Sequence, residues 1–193
     1  MAGYRRYSTK VALVVAAIAI VAGILMVVLN RNQATEITTP TNTSGVEIKL
    51  PKAWRLKEIS QADHDAGVVA QAVRTKPDAQ VSLRTVARDA NDATNINELP
   101  TIIAEALEAE LDGIKIVDKQ VASFGKYQAA QIQYRYTIPG DPTKYEYEMW
   151  VVLLSDQVFY TTYRAEISDL KTVEPQFAAI NKSVAASIAA QDK

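Results

Sequence analysis

Asp63-His64-Asp65 sets the single histidine of this chain between two carboxylates, a combination suited to proton transfer or to holding a cation. Adjacent side chains on an extended backbone point to opposite sides, and a zinc shell built from the usual ligands lacks a second imidazole or any thiolate here. The triplet reads as a solvated polar turn. A second oxygen-rich stretch, Arg88-Asp89-Ala90-Asn91-Asp92-Ala93-Thr94-Asn95, offers calcium ligands. Asp89 and Asn91 match the first two positions of a helix-flanked calcium loop, but Ala93 occupies the third and the central glycine is missing. This stretch reads as an Asx-rich loop leading into a helix. The sequence contains no Gly-x-Ser-x-Gly elbow and no glycine-rich phosphate cradle. The expectation is a protein without catalysis, cofactor or metal; a hydrolase with an unfamiliar site would require clustered ionisable groups with displaced pKa values.

The aromatic residues carry more information. Tyr134, Tyr136, Tyr145, Tyr147, Trp150, Phe159, Tyr160 and Tyr163 fall within three consecutive strand-like segments. Tyrosine combines apolar area with a hydrogen-bonding tip, as recognition surfaces require. Eight aromatic rings on neighbouring strands exceed what one helix layer covers. Tyr134, Tyr136, Tyr145, Tyr147, Tyr160 and Tyr163 are therefore expected to contribute to an exposed interaction surface or to line a cleft between sheet and helix.

The elements that must position these rings follow from periodicity. Val46–Leu50 alternates apolar and polar residues and ends at Pro51 and Trp54, as a short strand would. Gly67–Arg74, Val81–Val86 and Ile114–Val121 read as further strands. Ala130–Thr137 sets Ile132, Tyr134 and Tyr136 against Gln131, Gln133 and Arg135, one apolar face and one wet one. Tyr145–Leu154 becomes apolar on both faces after Met149, which predicts a strand in the middle of the sheet. Val158–Ala165 follows after the polar connection Ser155-Asp156-Gln157, as in a hairpin. Leu99, Ile103, Leu107 and Leu111 recur every four residues and predict a helix with Asn97 as N-cap and Gly113 as C-cap. Phe177, Ile180, Val184 and Ile188 predict a last helix starting near Pro175. Strands, helix, antiparallel strands and terminal helix make an α+β domain.

This domain does not begin the chain. Val11–Leu29 is a nineteen-residue run without charge or proline, enough to span about 30 Å of hydrocarbon as a helix. Arg5, Arg6 and Lys10 precede it and only Arg31 closely follows, so the basic excess places the N-terminus in the cytoplasm and exports the remainder. The run exceeds an ordinary signal-peptide core, and no good small-residue cleavage site follows it, which favours an uncleaved anchor. Without cysteine there is no lipid attachment of the bacterial lipoprotein kind and no disulfide. Residues 30–45 are rich in Thr and Asn and too polar to bury a face, as a flexible linker would be. The expected organisation is a cytoplasmic N-terminus (1–10), a transmembrane helix (11–29), a linker (30–45) and an extracytoplasmic domain (46–193). From Val46 onward 17 Lys and Arg stand against 21 Asp and Glu, dispersed, which excludes the basic footprint of a nucleic-acid binder.

Several local features come in a telling order. Leu50-Pro51-Lys52-Ala53-Trp54, the helix in mid-domain, Phe124-Gly125-Lys126-Tyr127-Gln128-Ala129-Ala130 entering a strand, Phe159-Tyr160-Thr161-Thr162-Tyr163, and the closing Phe177-Ala178-Ala179-Ile180-Asn181-Lys182-Ser183 span nearly all of 46–193. In this order they resemble the superfamily that groups the photosystem II extrinsic protein PsbP, the Ran-binding Mog proteins and bacterial relatives. The resemblance implies an αβα sandwich with a central antiparallel sheet, whose members mostly bind proteins and are seldom enzymes; it transfers no particular partner. The functional expectation is thus a non-catalytic accessory module, anchored in the lipid bilayer and acting on a membrane or envelope protein. The alternative is a carrier of a small apolar ligand or lipid in a pocket between helix and sheet.

Overall fold

Alternation of apolar and polar residues becomes seven strands of one sheet in the computed structural model, which describes Val46 and residues 48–89 and 92–191. The expected transmembrane run 11–29, its flank Arg5, Arg6 and Lys10, and the linker 30–45 lie outside the described residues. No helix among the described residues is long and apolar enough to cross a membrane.

The elements run β1 (Arg55–Leu56), α1 (Gln61–Asp65), β2 (Val68–Thr75), β3 (Asp78–Ala87), α2 (Leu99–Glu110), β4 (Lys115–Phe124), β5 (Tyr127–Thr137), β6 (Lys144–Leu153), β7 (Gln157–Glu166) and α3 (Leu170–Gln191). A 3₁₀ turn, Ile167–Asp169, leads into α3. The sheet order is β1-β2-β3-β7-β6-β5-β4, antiparallel throughout. Two meanders, β1-β2-β3 and β4-β5-β6-β7, are joined by the ladder that runs from Ala79↔Ala165 to Ala87↔Gln157. β7 is therefore the central strand, buried from Val158 through Ala165, and the doubly apolar β6 lies beside it.

The two faces carry separate cores. On one, Val81 and Leu83 of β3, Trp150 and Val152 of β6 and Phe159 and Tyr163 of β7 pack beneath Val173, Phe177, Ile180, Val184 and Ile188 of α3. On the other, Ile132 and Tyr134 of β5, Tyr147 and Met149 of β6 and Tyr160 of β7 join Leu99, Ile103 and Leu107 of α2. Helix stripes of period near 3.6 meet strand faces of period 2, giving one helix layer on each side of the sheet.

Four local expectations are corrected. Of the expected strand Val46–Leu50, the described residues 46 and 48–50 form no ladder; Val46 is buried and Ile48 and Leu50 pack on the α3 side, while the Lys49 backbone N–H donates to Ser183 Oγ at 3.1 Å. The edge position is taken by Arg55–Leu56 instead. Asn97 does not cap α2, which starts after Glu98 without a side-chain cap; Asn97 donates its N–H to Asn95 Oδ1 at 3.0 Å, so the Asx turn falls one step earlier. Leu111, not Gly113, is the C-cap, although Gly113 follows in the left-handed region at φ +76. α3 begins at Leu170 rather than near Pro175, which lies inside the helix.

Candidate functional site

The residues that the sequence put forward for recognition go inside. Tyr134, Tyr136, Tyr145, Tyr147, Tyr160 and Tyr163 are all buried, so they form no exposed surface. Five of them belong to the α2-side core, and Tyr163 belongs to the α3 side, where its hydroxyl donates to Asn181 Oδ1 at 2.6 Å. α3 covers one face of β6 and β7, and on the other face the rings pack against one another and against Leu99, Ile103 and Leu107 of α2. The excess of aromatic area is absorbed by two cores rather than one. The Asp63-His64-Asp65 triplet is a one-turn helix rather than a turn: Ser60 Oγ caps it by accepting the Asp63 N–H, and His64 is exposed.

What gathers on the α2-side face instead is polar. α2 lies against β4 and β5, and the short α1 lies against β2, so neither helix is centred over β3 and β7. On that strip the inward parity, apolar elsewhere, is occupied by Gln71 of β2, Gln80 and Arg84 of β3, and Thr162 and Arg164 of β7, all buried. Gln80 faces Arg164, and Arg164 faces Tyr147 on β6. Lys57 joins them at the edge, its backbone N–H donating to the Gln71 carbonyl at 2.9 Å. Asp63 is carried over β2 by α1 with only 5% of its surface exposed.

The electrostatics centre on Arg164. Its guanidinium lies 4.6 Å from the centre of the Tyr145 ring, a cation–π contact, and its Nη2 donates to Asp78 Oδ2 at 3.1 Å. The Tyr145 hydroxyl in turn donates to Asp141 Oδ2 at 3.1 Å. Arg84 repeats the motif more loosely, 5.8 Å above the Tyr160 ring. Burial raises the Tyr147 hydroxyl well above its ordinary pKa, with the Arg164 charge opposing; burial likewise pushes Tyr160 up to about 12, opposed by Arg84. Both hydroxyls stay protonated near neutral pH. The half-buried Lys57 ammonium is shifted down by burial and by Arg164, with Asp63 pulling the other way.

Several polar atoms of this strip have no hydrogen-bond partner: Arg164 Nε, Gln71 Oε1, Asp63 Oδ1 and the Tyr160 hydroxyl. Lys57 forms no ion pair among the described residues. Buried polar atoms are normally satisfied, so unpaired ones gathered in one place mark the strip as a candidate site. The strip has no nucleophile–base pair, and among the described residues no three His, Cys, Asp or Glu side chains come together as a metal site.

Sequence reasoning missed Lys57, Gln71, Gln80, Arg84 and Arg164. The available signal was parity: Arg84 and Gln80 share one face of β3, and Arg164 interrupts a strand otherwise buried on both sides.

Two open grooves also flank α3. One, of about 820 Å³, runs between Leu50-Pro51 and Ala179, Lys182 and Ala186. The other, of about 490 Å³, lies where Phe124 and Trp150 meet Ala178, Ala185 and Ala189.

No protein-family model matches this chain, and no curated protein is similar to it in sequence. Solved structures are similar in shape. LpqN of Mycobacterium tuberculosis, described as involved in cell envelope biogenesis, superposes with a TM-score of 0.54 at 16% identity, over 71% of this chain and 80% of that one. The cyanobacterial PsbP of Synechocystis sp. PCC 6803 superposes with a TM-score of 0.53 at 12% identity, over 79% of this chain and 96% of that one. At such identities the likeness is one of fold, and it is the fold that the resemblance to PsbP implied: this chain carries an α+β domain of the PsbP-like fold.

Proposed function

We propose that this chain is a non-catalytic binding module, held at the outer side of a membrane by residues 11–29, whose polar strip between α1 and α2 receives a group of a membrane or envelope partner. The observation that carries this reading is the set of buried, unpaired polar atoms around Arg164 and Tyr147. Leaving such groups unsatisfied costs on the order of 1–3 kcal/mol each, a cost that a bound partner's complementary groups would remove. The uncharged run 11–29 and the basic flank Arg5, Arg6 and Lys10 support the anchor. A polar tether over 30–45 would hold the domain within roughly 20–25 Å of the bilayer on average, which raises its effective concentration toward partners in the same membrane. LpqN, which shares the fold, is described as involved in cell envelope biogenesis, in keeping with an envelope setting.

The test is crosslinking of the full-length protein in its native membranes, followed by capture, with Arg164→Gln and Tyr147→Phe as comparisons. One stoichiometric membrane or envelope protein, lost in a variant whose melting temperature and circular dichroism are unchanged, establishes the module. Identical capture by both folded variants removes the strip from the reading. Protease digestion of sealed vesicles checks orientation: the domain should be cleaved from outside, and protection would reverse the topology.

A second reading, a carrier of a small apolar ligand, rests on the groove of about 490 Å³ between α3 and the sheet at Phe124 and Trp150. A lipid copurifying with the wild type and lost on Ala185→Trp would favour it.

A further inference from the structure

Resting on the reading of residues 11–29 as a membrane anchor, we infer that the α3 side of the domain lies on the bilayer that holds it, with the groove of about 820 Å³ seated on anionic phospholipid headgroups through Lys49 and Lys182. One wall of that groove is Lys49, Leu50 and Pro51, and the other is α3 at Ala179, Lys182 and Ala186. Both lysines are exposed, and neither forms an ion pair among the described residues. No Asp or Glu is among the described residues that line the groove.

The tether enters on this side. Residues 30–45 join the anchor to Val46, which is 3% exposed within the α3-side core. Lys49 follows three residues later on the groove's wall, its backbone N–H bonded to Ser183 Oγ of α3. A polar tether of that length holds its two ends about 20–25 Å apart on average, so the part of the domain kept nearest the bilayer is the part next to Val46. α2 packs on the opposite face of the sheet, which leaves the polar strip turned toward the envelope.

The charge suits the same face. From Val46 onward acids outnumber bases by 21 to 17, yet the two stretches that border the groove reverse that balance. Residues 46–56 and 175–193 hold Lys49, Lys52, Arg55, Lys182 and Lys193 against Glu47 and Asp192, and Lys182 is the sole charge between Pro175 and Gln191. The acids on the α3 side of the sheet stand apart from the groove. Glu146 pairs with Arg135 at 2.8 Å, Glu148 accepts from Gln131 and Trp150, Glu174 lies about two turns before Lys182 on α3, and Asp118 sits on β4 at the sheet edge opposite β1. Lysine stems carry their ammonium groups to headgroup phosphates, while the small side chains of Ala179 and Ala186 between them let the surface come close.

The chain has no cysteine, so a single Ala186→Cys on α3 or Glu108→Cys on α2, both at exposed positions, carries a fluorophore in the full-length protein. Each is reconstituted into vesicles of phosphatidylcholine, or of phosphatidylcholine and phosphatidylglycerol in equal parts, that contain a lipid with a nitroxide on its headgroup as quencher. Quenching at position 186 should exceed that at position 108 in the mixed vesicles, and the excess should be lost in Lys49→Gln with Lys182→Gln and on raising the salt. Equal quenching at the two positions, or quenching indifferent to phosphatidylglycerol and to both lysines, overturns the assignment. Shielding of position 186 from aqueous iodide without lipid quenching gives the groove to a protein and overturns it as well. Carbonate extraction separates the two readings: a protein that stays in the membrane without this contact keeps the anchored module, whereas one stripped from the vesicles removes the anchor and this inference together.

Discussion

The rings of Tyr134 and Tyr147, opposite one another on β5 and β6, stack with centroids 4.9 Å apart and planes within 3° of parallel. The Tyr134 hydroxyl is buried and without a partner, so Tyr134 stabilises the pair through its ring face and not through its polar tip. Tyr134→Phe keeps the stack and removes an unsatisfied hydroxyl. It is expected to leave stability unchanged or raise it by up to about 1 kcal/mol, whereas Tyr134→Ala should cost about 3–5 kcal/mol. Urea unfolding of the two variants decides; a loss above 1 kcal/mol for Tyr134→Phe would mean that the hydroxyl is bonded in the native protein.

Glu148 predicts a pH dependence. Burial holds its carboxyl above the ordinary carboxylate range, partly opposed by Gln131 Nε2 and Trp150 Nε1, which donate to Oε1 at 2.6 and 2.8 Å. A raised native pKa means that the native state binds the proton more tightly than the unfolded chain does. The contribution is fully present below the ordinary carboxylate pKa and is lost as pH rises through the raised one. Glu148→Gln keeps an amide oxygen for both donors. It should be at least as stable as wild type at pH 7, with a flatter profile between pH 4 and 7, measured as melting temperature against pH. A steeper profile would contradict the assignment.

Gly125 marks the closest approach of the β4–β5 turn to α3. It sits at φ +64, and an added Cβ would come within 2.8 Å of Ala185 Cβ. Gly113, at φ +76, has open space around it. Gly113→Ala should cost about 1 kcal/mol from backbone strain alone, and Gly125→Ala about 1–3 kcal/mol more because α3 must shift. Equal losses on thermal unfolding would show that the helix yields freely.

Gln176 joins three elements through one oxygen. Its Oε1 accepts Trp54 Nε1 at 2.6 Å and also Arg74 Nη1, tying the segment before β1, the strand β2 and the helix α3. Gln176→Leu leaves the indole N–H unpaired and is expected to cost about 1–2 kcal/mol. Hydrogen exchange should rise first in β1 and β2; a rise confined to β4 and β5 would argue against this linkage.

The strands were legible because each announces itself locally. Alternation located β5, an apolar run on both faces located β6, and recurrence every four residues located α2, since the backbone periods of 2 and 3.6 are imposed before any tertiary contact forms. Element ends were less legible. Asn97 looks like a cap, yet Asn95 makes the turn, and α3 starts at Leu170 because that residue packs onto the core and the 3₁₀ turn delivers the chain there.

By itself the sequence determined the α+β class, the strand and helix content, and the uncharged run at 11–29, because these depend on residues close to one another along the chain. Tertiary structure alone decided that β3 pairs with β7, a contact between residues 79 and 165, and with it which face each side chain of those strands shares. That pairing buried the tyrosines between two helix layers, and it aligned Gln80, Arg164 and Tyr147 across three strands. A side chain's parity on its own strand is local information. Whether that face meets a helix, water or other polar groups depends on the strands placed beside it.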